Sequence, residues 1–180
     1  FRWLLLELGF PVTNYMARFL RDEAGIPMRR HQVLKVETED GASYICDVGV
    51  GGNIPTWPYP LVLDEVYHQD NGSYRIQKDD FLGWVLEEIR HGQWSQLYSF
   101  TEELQLPIDF IMPSFWCEYS PDSPFTQRTM VSLRTPEGRV TVADEEFRIY
   151  TEDDVKTFVP KNDEDFRCSL DKYFGIVLDT

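Results

Sequence analysis

The stretch His31–Gly52, HQVLKVETEDGASYICDVGVGG, restricts the possible folds more than any other part of the chain. Two runs rich in β-branched and apolar residues flank Glu39-Asp40-Gly41, and an Asp-Gly pair accepts the positive φ of a tight hairpin turn. A three-residue loop sets Thr38 opposite Ala42, Val36 opposite Tyr44 and Leu34 opposite Cys46. One face of this hairpin is apolar in its middle. The other carries His31, Val33, Lys35, Ile45 and Asp47, with Val33 facing Asp47. A slip of one residue would mix the two sets, which a hairpin with a buried face resists. In this register His31 and Asp47 are diagonal neighbours, within reach of a side-chain contact.

Such a pair has a chemical use. A carboxylate that accepts from one imidazole nitrogen fixes the ring's tautomer and leaves the other nitrogen to take a proton from a nucleophile. The glycines that follow, Gly49, Gly51 and Gly52, allow backbone to approach a ligand closely. The plainer alternative is a structural hairpin contact, because charge pairs of this kind also serve stability.

The chain of 180 residues suits one or two domains with a real core. A net charge of -14 opposes nucleic acid and anionic membrane surfaces alike. No apolar run is long enough to span a bilayer. Cys46, Cys117 and Cys168 are odd in number and widely spaced, which fits neither a disulfide framework nor a zinc site. A reducing, cytoplasmic setting is the expectation. The first residues, FRWLLLEL, are helix formers that begin without Met, as if a helical N-terminal part precedes them.

Taken in order, the pattern predicts a helix over Phe1–Leu8 stopped by Gly9 and Pro11, and a strand over Val12–Leu20. A polar loop follows over Arg21–Arg30. Its Arg29 and Arg30 are either a solvated basic spot or a contact for an anionic ligand, and charge runs are usually solvated. After an irregular Pro-rich link, strands are expected at Leu61–Leu63, Val66–Gln69, Ser73–Gln77, Phe81–Glu88 and Trp94–Phe100, with Asn71-Gly72 and His91-Gly92 as turns. Leu104–Phe115 carries two prolines and shows no clear period, and Trp116–Phe125 reads as a loop. Met130–Arg134 and Arg139–Val142 flank Pro136-Glu137-Gly138 as a further hairpin, and a strand at Glu145–Tyr150 precedes a helix at Asp163–Tyr173 with Phe166, Leu170 and Tyr173 or Phe174 on one face. His68 and His91 have no partner at a telling spacing and read as structural or exposed.

With these residues in view the chain resembles the arylamine N-acetyltransferases. The similar segments run in order nearly end to end: Leu8-Gly9-Phe10 and Ala17-Arg18, His31-Gln32-Val33-Leu34, Asp47-Val48-Gly49-Val50-Gly51-Gly52, Tyr74-Arg75, Trp94 to Phe100, Asp109-Phe110, and Ser120 to Phe125. The resemblance implies an α+β, papain/transglutaminase-like cysteine-transferase fold with a central antiparallel β-barrel and a helical first domain largely missing. The expected organisation is a helical remnant over 1–14, the barrel domain over 15–150 carrying His31 and Asp47, and a small α/β region over 151–180.

The resemblance also implies a ping-pong transfer of acetyl from acetyl-CoA, through a cysteine, to an arylamine, arylhydroxylamine or hydrazine. No metal is implied. His31 and Asp47 match the family's triad histidine and aspartate. Val50, Gly51 and Phe125 match positions that line the acceptor site, and Arg30 matches a coenzyme A contact. Val50 replaces the family's usual aromatic, which implies either room for bulkier acceptors or weaker aromatic stacking. The nucleophile's Arg-Gly-Gly-x-Cys motif is not among these residues, and Cys46 points to the strand face opposite Asp47. The expectation is a nucleophile upstream of Phe1 and a chain inactive by itself. Within the same resemblance, an amide synthase of this superfamily and a catalytically dead ligand-binding relative are the alternatives.

Overall fold

Turn chemistry sets the first strand boundaries. The computed structural model describes residues 1–50, 54–151 and 153–178. At the hairpin, Gly41 adopts φ 83°, Thr38 N donates to Ala42 O at 2.9 Å and Gly41 N donates to Thr38 O at 2.9 Å. The Thr38 hydroxyl donates to Asp40 Oδ1 at 2.5 Å. These bonds close the three-residue loop and place Leu34 opposite Cys46 and Val36 opposite Tyr44, the register read from the sequence.

Among the described residues eight strands join in one sheet. They are β1 (Val12–Phe19), β2 (His31–Glu37), β3 (Ser43–Cys46), β4 (Tyr59–Pro60), β5 (Val66–Gln69), β6 (Gly72–Asp79), β7 (Gly83–Arg90) and β8 (Gln93–Phe100), in the order β4-β3-β2-β1-β8-β7-β6-β5. Every ladder is antiparallel. Ile45 of β3 and Tyr59 of β4 share one core with Tyr74 and Ile76 of β6, although these strands lie towards opposite ends of the order. The sheet therefore curls into a nearly closed barrel, and the fold is α+β. The hairpin is buried on both faces. Val33 and Ile45 enter the barrel core, while Leu34, Val36 and Cys46 pack outside it with Leu5, Phe10 and Val12. Leu5 comes from α1 (Arg2–Glu7), which ends before Gly9 at φ 87° as expected.

Gly83 opens β7 where a side chain has no room. Its φ is 81°, and a Cβ would lie 2.6 Å from the backbone oxygen of Phe100.

The expected barrel unit over 15–150 does not hold. The chain divides into Phe1–Trp116 and Cys117–Thr180. The physical reason is a separate core. Strands β9 (Met130–Thr135), β10 (Gly138–Ala143), β11 (Glu146–Tyr150) and β12 (Val155–Phe158) form their own sheet in the order β12-β11-β10-β9. Val142 and Phe147 from that sheet bury against Leu170, with Val131, Phe158, Phe166, Tyr173 and Phe174 around them. Three helices of this part of the chain are α2 (Ile111–Tyr119), which crosses the division, α3 (Pro124–Gln127) and α4 (Asp163–Phe174). Asn162 caps α4 by accepting from Asp165 N at 2.9 Å, three acids sit in its first turn, and Gly175 ends it at φ 66°.

Other elements differ from expectation. Leu61–Leu63 forms no strand, and of it Leu63 alone makes a bridge, parallel to Ile76. Residues read as irregular or loop contain a 3₁₀ turn over Pro107–Phe110, helix α2 and helix α3. Pro113 lies in the first turn of α2, where a missing N–H is tolerated.

Candidate active site

β2 begins with His31, and Asp47 follows the last residue of β3. Side chains alternate along a strand, so both point to the barrel face that holds Val33 and Ile45. His31 Nε2 and Asp47 Oδ2 lie 2.5 Å apart, with side chains 14% and 4% exposed. The second carboxylate oxygen, Oδ1, accepts from Gly49 N at 2.7 Å. Asp47 is thus fixed by the backbone on one oxygen and grips the imidazole with the other. The ring's second nitrogen, Nδ1, has no hydrogen-bond partner among the described residues.

A buried tyrosine supports the ring. The imidazole and Tyr98 have centroids 5.5 Å apart at an interplanar angle of 54°. This contact crosses β1: His31 pairs with Ala17, and Tyr98 with Phe19. Ala17 is fully buried and small, which leaves space above β1 for the two larger rings. The Tyr98 hydroxyl hydrogen-bonds that of Tyr59 inside the core. Burial pushes both phenols well above their ordinary range. Neither tyrosine had been singled out; Tyr98 lies in the similar segment Trp94 to Phe100, but no local spacing ties it to His31.

The other expected site residues are Arg30, Val50, Gly51 and Phe125. Arg30 donates to Glu23 Oε1 at 3.1 Å and stacks its guanidinium over Trp116 at 5.1 Å, so the basic spot is already paired. Arg29 likewise meets Glu103 at 3.0 Å. Val50 is 8% exposed and belongs to the barrel core, so its side chain packs inward rather than facing open space. Gly51 lies outside the described residues. Phe125 is exposed in α3, in the second unit, where its N–H donates to Ser123 Oγ at 3.2 Å. Cys46 is buried on the outer face of the hairpin, where desolvation first and the Asp47 charge second raise its thiol pKa. Cys117 and Cys168 belong to the second unit. Among the described residues no helix is long and apolar enough to cross a membrane.

A carboxylate-held imidazole with one nitrogen unpartnered is a general acid–base unit of the kind that nucleophile-dependent transferases use. A family model described as N-acetyltransferase matches residues 1–180, and the chain belongs to the arylamine N-acetyltransferase family. It is 34% identical over 154 residues to the arylamine N-acetyltransferase of Escherichia coli K12, covering 83% of this chain and 53% of that protein. It superimposes on the arylamine N-acetyltransferase structure from Salmonella typhimurium with a TM-score of 0.89 at 26% identity, covering 99% of this chain and 66% of that one. The Mycobacterium marinum enzyme solved in complex with CoA gives a TM-score of 0.85 at 25% identity, covering 97% and 65%. The chain spans about half the length of the bacterial relatives it matches in sequence.

Proposed function

We propose that this chain carries the histidine and aspartate of a Cys-His-Asp triad that transfers acetyl from acetyl-CoA to an arylamine, arylhydroxylamine or hydrazine. The observation that supports it most is the 2.5 Å contact from Asp47 to His31 Nε2 with Nδ1 left unpartnered. In this reading the thiol comes from the Arg-Gly-Gly-x-Cys motif that the resemblance implies and residues 1–180 do not carry; Cys46 is turned to the other face of its strand and burial raises its pKa. His31 Nδ1 takes the thiol proton, and the resulting thiolate is nucleophilic at neutral pH. The thiolate adds to the acetyl-CoA carbonyl. Collapse breaks the carbon–sulfur bond to coenzyme A, whose sulfur leaves with the proton from imidazolium. The amine then attacks the enzyme thioester, His31 takes the amine proton, and the cysteine departs as thiolate. Two transfers through one thioester give ping-pong kinetics.

Acetyl-CoA as donor is supported by family membership and by the relative solved with CoA. Arg30 as a phosphate contact requires Glu23 to be exchanged for the ligand. A cytoplasmic setting accords with three free cysteines.

The test is an intact mass of the full-length protein after mixing with acetyl-CoA and no acceptor. One acetyl adduct, discharged by an arylamine, is the expected result, and peptide mapping then locates the thiol. Folded protein that forms no adduct overturns the proposal in favour of an amide synthase or an inactive relative.

A further inference from the structure

Resting on the triad reading above, we propose that Gly49 is a positioning residue for His31: the bare Cα at this point lets the imidazole keep its aspartate-bound orientation with Nδ1 uncovered. The argument begins with the carboxylate. Asp47 Oδ1 accepts from Gly49 N at 2.7 Å while Oδ2 contacts His31 Nε2 at 2.5 Å. One side chain therefore ties the backbone of Gly49 and the imidazole to a common anchor, and residue 49 is held beside the ring.

A Cβ at this position would lie 3.2 Å from His31 Cε1, 3.5 Å from Asp47 Oδ1 and 3.8 Å from His31 Nδ1. All three nearest atoms belong to the His–Asp pair. Cε1 is the ring carbon between the two nitrogens, so a methyl there crowds the edge that bears Nδ1. The ring cannot readily withdraw. Tyr98 packs against it, is fully buried, and has its hydroxyl tied to Tyr59. A side chain at 49 must push the imidazole aside by a few tenths of an ångström against its bond to Asp47, and it stands in contact with the edge that bears Nδ1.

The usual reasons for glycine do not apply here. The φ of Gly49 lies outside the left-handed region, unlike that of Gly83, and the residue is exposed. Its backbone conformation is open to alanine, and no core atom is displaced. The constraint on this position falls on His31 and Asp47 alone, which separates a catalytic requirement from a folding one.

The experiment compares full-length wild type, Gly49→Ala and Asp47→Asn in three readouts: melting temperature, the rate of acetyl adduct formation, and the pH profile of iodoacetamide alkylation at the mapped nucleophile. Gly49→Ala is expected to melt with wild type. It should lose on the order of 10- to 100-fold in acetylation and in alkylation at neutral pH, because a small displacement of a catalytic group has that effect. Its alkylation profile should shift up towards an unassisted thiol, about pH 8.5. A wild-type profile in Gly49→Ala, with Asp47→Asn shifted, overturns the role of Gly49 and leaves the triad standing. A Gly49→Ala protein that melts well below wild type also overturns it, since glycine would then serve the fold. An unassisted thiol profile in wild type, with no adduct, removes the triad reading and this inference together.

Discussion

Asp47 holds His31 with one carboxylate oxygen, at 2.5 Å from Nε2, and the backbone of Gly49 with the other, at 2.7 Å. The division of labour predicts what Asp47→Asn does. The Gly49 N–H needs an acceptor, so the asparagine oxygen takes that place and its NH₂ faces His31. Nε2 must then accept, the ring proton moves to Nδ1, and the nitrogen required as base is blocked. We expect the full-length variant to keep its melting temperature and to lose roughly two to four orders of magnitude in acetyl transfer. Unchanged turnover would remove Asp47 from the machinery.

The paired hydroxyls of Tyr59 and Tyr98 make a stability prediction. Both residues are essentially fully buried, and each hydroxyl has the other as its partner among the described residues. Tyr98→Phe leaves the Tyr59 hydroxyl buried without a partner, a loss of about 1–3 kcal/mol. The double change Tyr59→Phe with Tyr98→Phe should recover part of it, since removing both polar groups is nearly neutral. Urea unfolding of the four proteins in the cycle tests this. A double variant less stable than the sum of the single changes would contradict it.

The same tyrosines set an alkaline limit. Burial raises both phenols well above 10 in the folded protein, while the unfolded chain ionises near that value. Their contribution is fully present below pH 10. It falls as pH rises towards the folded values, because only the unfolded state releases protons there. Each tyrosine adds about 1.4 kcal/mol per pH unit to the fall. Stability measured from pH 9 to 11 should drop more steeply in wild type than in the double phenylalanine variant.

How much of this could be read from sequence depends on the range of the interaction. The Leu34–Cys46 register and the approach of His31 to Asp47 follow from one Asp-Gly turn and a period of two, both local. The strand at Val12–Phe19 and the helix Asp163–Phe174 were legible for the same reason. Sheet membership was not. The hairpin of Met130–Arg134 with Arg139–Val142 is local too, marked by Pro136-Glu137-Gly138, but nothing in it says that it closes around a core of Phe147 and Leu170 rather than joining the barrel. Strand β12 was missed because Val155, Lys156 and Thr157 are all exposed and carry no burial pattern. Helix α2 was hidden by Pro113, which the first turn tolerates. The inward packing of Val50 and the contact of Tyr98 with His31 depend on barrel curvature, which no single segment encodes.

Val50 gives a prediction that separates a pocket wall from a core position. It is 8% exposed among Ile45, Tyr59 and other barrel residues. Phenylalanine there overfills a packed interior, at about 1–3 kcal/mol. For a chain of this size each kcal/mol lowers the melting temperature by about 2–4 °C. We expect Val50→Phe in the full-length protein to melt lower before any question of acceptor preference arises. An unchanged melting temperature with an altered acceptor profile would restore the reading of Val50 as an acceptor contact.

Thiol reactivity gives the last prediction. Cys46 is 8% exposed, packed with Leu34 and Val36, and burial followed by the neighbouring Asp47 charge raises its pKa. Alkylation needs both access and thiolate, and Cys46 lacks the two together. Cys168 is exposed on α4. With excess iodoacetamide at neutral pH and short exposure, peptide mapping of the folded full-length protein should find the proposed nucleophile and Cys168 modified and Cys46 intact, and denaturant should release Cys46. Since its raised pKa favours the folded state below the ordinary thiol value and that contribution is lost as pH rises, protection should weaken on the alkaline side. Rapid modification of Cys46 in folded protein at neutral pH would mean that the outer face of the hairpin opens. The separation of a structural thiol from the His31–Asp47 face would then fail.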